Sequence, residues 1–300
     1  MSVSFRAEQS KNKRKTFLLL FCMFLFVVAA IWAVANLVGY GGSVWIVPIA
    51  VTIALVGVWG SYWNSDKLVL AMTHARVIDH ATAPQLFNVV DEVRIAAGLP
   101  MPTVAIVEDP APNAFATGRD PDHAVIAFTT GILEAMDREQ LQGVTAHEMA
   151  HVGNRDTLVM AVAATTAGLL AIIADIGIRM SFFSRRDSSS NPIAVIVGLV
   201  VLLLAPIAAV LMRSAISRKR ESLADATAVQ FTRNPAGLRR ALELLAADGT
   251  VVEAKSTAVA HVWIESPLDG KDKSLFDTHP PLADRIATLR AMETSGPHPS

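Results

Sequence analysis

Cysteine is almost absent: the 300 residues contain one, Cys22, and it lies inside an apolar run. An intrachain disulfide framework is therefore excluded, and so is a thiolate metal site. Any metal must be held by histidine and carboxylate. Charge is also scarce, at 18% of residues, and the two signs nearly cancel to a formal net charge of −1. No global basic field exists to draw in nucleic acid, and no nucleic-acid partner is expected. The short basic runs, Lys11 with Lys13-Arg14-Lys15 and Arg218-Lys219-Arg220, flank apolar stretches, where they act on membrane orientation. What the chain has in abundance is hydrophobic residues, 52% of the total. That proportion suits a membrane protein with a modest aqueous part and a lipid bilayer as one partner.

Residues 17–38 carry no charge and measure about 33 Å as a helix, enough to cross a bilayer. Residues 44–63 form a second such run after the turn Gly39-Tyr40-Gly41-Gly42. Ala33-Val34-Ala35 resembles a signal-peptide cleavage site. The run is too long for that, and a second follows at once, so it reads as an anchor. A second apolar pair covers residues 158–178 and 192–212. There Ala163, Ala167 and Ala171 form a small-residue face, Asp175 and Arg179 pair one turn apart, and Pro206 kinks the last span. Basic residues ahead of the first span place the N-terminus in the cytoplasm, and two crossings return the chain there. Arg185 and Arg186 in the short loop between the later spans oppose this orientation but are outnumbered. The expected organisation is an N-terminal tail and membrane hairpin (1–63), the first part of a cytoplasmic domain (64–157), a second hairpin (158–213) and the second part of that domain (214–300).

Within the aqueous parts, Thr82-Ala83-Pro84-Gln85 reads as a capping box opening a helix with Leu86, Val89, Val93 and Ala97 on one face. Gly98 and Pro100 end it. Residues 103–108 and 124–129 are β-branched or alternating and predict short strands. Between them lie Pro110-Ala111-Pro112-Asn113 and Gly118-Arg119-Asp120-Pro121, which is turn chemistry. Asp137-Arg138-Glu139-Gln140 caps a further helix. Asn234-Pro235 starts another, with Leu238, Leu242 and Leu245 facing one way, and residues 280–292 predict a last short helix. Residues 249–277 are mixed and read as loop-rich. The fold class expected is α+β, mostly helical, with about four membrane helices and a small sheet in the aqueous domain.

The helix capped at Asp137 carries His147-Glu148-Met149-Ala150-His151, an H-E-x-x-H motif. Residues four apart share a helix face, so both imidazoles can reach one Zn²⁺, and Glu148 is placed to take a proton from the attacking water. Two histidines leave zinc short of a third protein ligand. One known layout requires Gly three residues after the second histidine and His three further on; here those positions hold Asn154 and Thr157, so it is excluded. Beyond the fourth span, Glu221 and Asp225 lie four apart on what is expected to be one helix. His151 precedes the third span by about six residues and Glu221 follows the fourth by about eight, roughly 9–12 Å from the membrane boundary on the same side. An antiparallel hairpin would therefore bring them level. Glu221 is the candidate third ligand, and Asp225 is placed to accept the far N–H of His147.

Four stretches taken together resemble the HtpX family of membrane zinc metalloproteases, relatives of the prenyl-protein (CAAX) protease. They are Asn113-Ala114-Phe115-Ala116-Thr117-Gly118, the motif at 147–151, Arg220-Glu221-Ser222-Leu223-Ala224-Asp225, and His279-Pro280-Pro281 with Arg285. They occur in the family's order, with two spans before and two within. The resemblance implies a zincin-like fold of the gluzincin type, one Zn²⁺ per chain and endopeptidase activity in the bacterial cytoplasmic membrane. It implies polypeptide substrates, damaged or misfolded membrane proteins among them, and a place in stress response. It also implies that Asn113 lies beside a substrate-binding edge strand, that His279 steadies the tetrahedral intermediate, and that Arg285 sits near the site, paired with Asp225. Ser222 departs from the family, where an aromatic residue is common. Residues 252–277 match no part of the pattern.

Two rival readings remain at this point. One is processing of prenylated C-termini, against which about four spans argue, since relatives with that task enclose a chamber with more. The other is a membrane scaffold with a structural zinc, which usually has four protein ligands and here lacks cysteine to supply them.

Overall fold

A computed structural model describes residues 43–161, 218–248, 264 and 281–294, with single positions between 14 and 32. Most of the first expected span, the later pair beyond residue 161, the Asp175–Arg179 pairing and His279 lie outside the described residues, as does the 249–277 stretch apart from Ile264.

Helix α1 (Ile46–Trp63) and helix α2 (Ser65–Thr73) follow one another with a single residue, Asn64, between them. The face of α1 bearing Ile49, Ile53, Val56 and Trp59 is exposed. Among the described residues no single helix is long and apolar enough to cross a membrane. Ile46–Gly60 and Ser65–Thr73 pass that test together, with a bend of 74°.

Strand β1 (Arg76–Val77) leads to α3 (Pro84–Ala97), then β2 (Thr103–Val107), β3 (Ala114–Thr117) and β4 (Val125–Thr129). They form one mixed sheet in the order β1-β2-β4-β3, with β2 and β4 parallel and the outer pairs antiparallel. One expectation needs correction here, and one strand went unread. Thr82 does not cap α3: its amide and hydroxyl both donate to Asp79 Oδ1, at 2.9 and 2.6 Å, so Ala83 is left at the N-cap position without a side-chain bond. Between the two stretches read as turns, at residues the pattern left unassigned, lies a third strand. β3 is made of Ala, Phe, Ala and Thr, all buried, and a strand covered on both faces carries no alternating polar signal to reveal it.

After β4 come α4 (Thr130–Ala135) and α5 (Arg138–Asn154). Asp137 and Gln140 complete the expected capping box, each accepting the other's backbone N–H at 2.9 Å, a contribution of about 1 kcal/mol. From Leu141 onward α5 is almost entirely buried. It is the central element, enclosed by α3, by the sheet, and by α6 (Arg218–Thr232) and α7 (Pro235–Ala247), with α8 (Leu282–Thr294) lying on α7. The expected stripe Leu238, Leu242 and Leu245 on α7 is buried, in one hydrophobic cluster with Val144 and Met149 of α5 and Val89 and Val93 of α3. The closest helix approach is at Gly143, where an added Cβ would stand 2.5 Å from the Leu238 amide nitrogen. The other sheet face, with Val107, Phe115 and Val125, packs on Val69 of α2 and on residues 158–161.

Candidate metal centre

Burial of α5 places both motif histidines deep in the protein, a hostile setting for imidazole unless each nitrogen finds a partner. The i, i+4 spacing brings their Nε2 atoms to 3.2 Å. Helix α6 crosses α5 at this level, and Glu221 in its first turn lies 3.5 Å from His147 Nε2 (through Oε2) and 3.6 Å from His151 Nε2 (through Oε1). Donor atoms of the three residues fall within 4.8 Å of one another. Tetrahedral zinc with donors at 2.0–2.1 Å would space them about 3.4 Å apart, close to what is observed. Two neutral-capable nitrogens and a carboxylate thus fit a divalent metal, and the donor count leaves one position open.

Each far nitrogen is partnered too. His147 Nδ1 lies 2.9 Å from Asp225 Oδ1, and Asp225 is gripped by Arg285, whose Nε and Nη2 donate to its two oxygens at 2.9 and 2.7 Å. Arg285 Nη1 also lies 3.5 Å from Glu221. His151 Nδ1 lies 3.2 Å from Asp156 Oδ2, and Arg220 Nε lies 3.4 Å from the other oxygen of that carboxylate. All of these side chains are buried.

The electrostatics follow. Burial and the Arg285 charge oppose protonation of His147, yet its bonds to Asp225 and Glu221 outweigh them and push its pKa up to about 9 without a metal. His151 is raised as well: burial opposes the proton, but Asp156 and Glu221 favour it more strongly. For Asp225, burial would raise the carboxyl; Arg285 and His147 prevail and hold it at about 2. Glu148 moves upward, because burial disfavours its charge more than the nearby histidines and Arg285 restore it.

The sequence-derived set His147, Glu148, His151, Glu221, Asp225 and Arg285 is therefore gathered in one place. Asn113 sits immediately before edge strand β3. Its side-chain oxygen accepts the Ala114 amide at 3.0 Å, and its own amide donates to Thr129 Oγ1 at 2.8 Å. Ser222 is exposed beside the buried Glu221. Sequence reasoning missed Asp156 and treated Arg220 as a membrane-flanking charge.

The profile of peptidase family M48 matches residues 80–293. A protein described as "Protease HtpX homolog" from Caldanaerobacter subterraneus subsp. tengcongensis is 42% identical, covering 95% of this chain and 96% of its own length. One of the same description from Syntrophobacter fumaroxidans is 48% identical over 81% of this chain and 89% of its own. Among solved structures, the crystal structure of S. mikatae Ste24p aligns with a TM-score of 0.48 and 16% identity, covering 94% of this chain and 66% of that one. Its donor set, its matched profile and these nearly end-to-end relatives agree, and the chain belongs to peptidase family M48, as a metallopeptidase of the HtpX kind.

Proposed function

We propose that the protein is a zinc endopeptidase anchored in the bacterial cytoplasmic membrane by about four helices, with a gluzincin-type active site on the cytoplasmic side. Its proposed substrates are misfolded or damaged membrane proteins. The observation that carries this reading is the convergence of His147, His151 and Glu221 at tetrahedral spacing around one point, with Glu148 buried on the same helix turn. These three residues would hold the metal, and a donor set without sulfur but with an open position suits a catalytic zinc. When bound, zinc supplies Lewis acidity, polarising the scissile carbonyl and making water at the open position more acidic.

The chain's own residues do the rest. Asp225 accepts the Nδ1–H of His147 and so directs the Nε2 lone pair to the metal position. Arg285 fixes that carboxylate in two-point contact. Glu148 accepts the proton of the attacking water and delivers it to the departing amine. Burial raises its proton affinity, which favours uptake of a proton from water. His279 is the proposed donor to the oxyanion of the tetrahedral intermediate. Main-chain pairing of a substrate with the edge strand after Asn113 would bind extended polypeptide with little sequence preference, as clearance of damaged proteins demands.

The test is Glu148→Gln in the full-length protein purified in detergent with zinc. Zinc content is expected to match wild type, while cleavage of an unfolded protein substrate falls by about 10²-fold or more. Full peptidase activity in that variant refutes the assignment. Mixing the inactive form with membrane extracts and mapping where the active enzyme cuts the captured proteins then identifies the substrate class.

A further inference from the structure

Asp156 lies five residues beyond His151. On an uninterrupted helix a five-residue offset turns the side chain roughly 140° away, so the two would not meet. They meet because α5 ends at Asn154 and Arg155 adopts a left-handed conformation, φ 58°. This geometry is unfavourable for a residue with a Cβ. The chain resumes as helix at residues 156–161, already redirected. The strained turn swings the Asp156 carboxylate back under the His151 ring, where it is 1% exposed.

We propose that Asp156 and Arg220 are positioning residues for His151: the Asp156 carboxylate accepts the Nδ1–H and fixes the tautomer that turns Nε2 to the metal, and Arg220 holds that carboxylate in register. This inference rests on the zinc-peptidase reading above. The arrangement repeats around His151 what Asp225 and Arg285 form around His147. In both, an imidazole Nδ1 meets a buried carboxylate whose other oxygen, or both oxygens, meet a buried guanidinium. Asp156 is no ligand itself, since it contacts the ring at Nδ1 while Nε2 faces His147 and Glu221.

The position of the pair gives it a second consequence. Asp156 stands two residues before the apolar run at 158–178, and Arg220 eight residues after the run at 192–212. Their contact ties together, beside His151, the chain just before the first of these runs and just after the second.

The experiment compares wild type, Asp156→Ala, Asp156→Asn, Arg220→Gln and His151→Ala as full-length proteins in detergent. Zinc affinity is read by chelator competition, and the site geometry by the absorption spectrum of the cobalt-substituted form. Loss of a residue that orients a metal-bound histidine weakens binding about 10–100-fold. That loss is expected for Asp156→Ala, with a smaller one for the isosteric Asp156→Asn and for Arg220→Gln, each with an altered cobalt spectrum. An ion pair serving only the fold would change the unfolding temperature and leave zinc affinity and spectrum alone. Zinc bound by Asp156→Ala within about twofold of wild type, where a 10–100-fold loss is expected, and an unchanged cobalt spectrum overturn the proposal. If the alanine variant does not fold, Asp156→Asn decides by the same two readings. A wild type that binds zinc no better than His151→Ala overturns the metal site itself, which is a distinct outcome.

Discussion

Replacing Arg285 with methionine separates stability from metal binding. Arg285 is buried and donates to both oxygens of Asp225 at 2.9 and 2.7 Å. Methionine retains much of the side chain's length and removes the charge. Asp225 then remains inside the protein without its cation. Breaking a buried pair from one side costs about 3–5 kcal/mol. The lower end applies here, because His147 still reaches the carboxylate at 2.9 Å. A chain of this size loses roughly 2–4 °C of Tm per kcal/mol, so a fall of at least about 6 °C is expected in the metal-free protein. Asp225, no longer held ionised and in place, secures the Nδ1–H of His147 poorly, and zinc affinity falls about 10–100-fold. Adding Asp225→Leu removes the second charge. Apolar replacement of a buried pair is often neutral or better, so Tm recovers in part, the buried His147 Nδ1 having lost its acceptor, while zinc affinity stays low. Thermal unfolding followed by tryptophan fluorescence, with chelator competition for zinc, measures both across the wild type, the two single variants and the double. A double variant as unstable as Arg285→Met, or one that regains wild-type zinc affinity, refutes the reasoning.

Metal binding is expected to release at least one proton at pH 7, because His147 is protonated below about 9 without metal and must be neutral to bind it. Calorimetry in buffers of different ionisation enthalpy measures that proton, and a zero slope refutes it. The sign reverses for the metal-free fold. A pKa raised from 6.5 to about 9 contributes stability that is fully present below pH 6.5 and lost as pH rises through 9. Tm of the metal-free protein therefore declines across that interval, and a rise contradicts the assignment. Gly143→Ala gains about 1 kcal/mol of helix propensity. It also forces a methyl to 2.5 Å from the Leu238 backbone, which costs about 1–3 kcal/mol or more because backbone cannot step aside. The variant is expected to melt lower than wild type, and a higher Tm contradicts that packing.

The meeting of the two motif histidines was legible because helical periodicity is local and strict. His147 and His151 had to share a face once the Asp137 cap fixed where α5 begins. Glu221 lies far away in sequence and was reached through an expectation about depth, that two spans return the chain to the level from which it left, and through the family resemblance. Asp156 was illegible for the opposite reason. Its contact depends on a left-handed residue at Arg155, where neither glycine nor asparagine announces one. β3 escaped because its alanines carry no strand signature, and the Thr82 cap failed because Asp79, three residues earlier, competes for the same amide.

The two histidines therefore differ in how they are secured, although their surroundings look alike. His147 is backed by Asp225 on α6 and Arg285 on α8, helices that also share the buried core with α7. Outer ion pairs from Arg239 to Glu293 and from Arg290 to Glu243 hold α8 against α7. Surface pairs of that kind are individually weak, so the backing of His147 draws its rigidity from the core beneath them. His151 is backed by Asp156 and Arg220, which stand at the two ends of the segment read as a membrane hairpin. His147 is thus backed from α6 and α8, and His151 from α6 and from the turn that ends α5. Glu221 is adjacent to Arg220 and within 3.5 Å of Arg285, so it joins both halves. A site assembled in this way depends on the placement of α6, which carries Arg220, Glu221 and Asp225 alike.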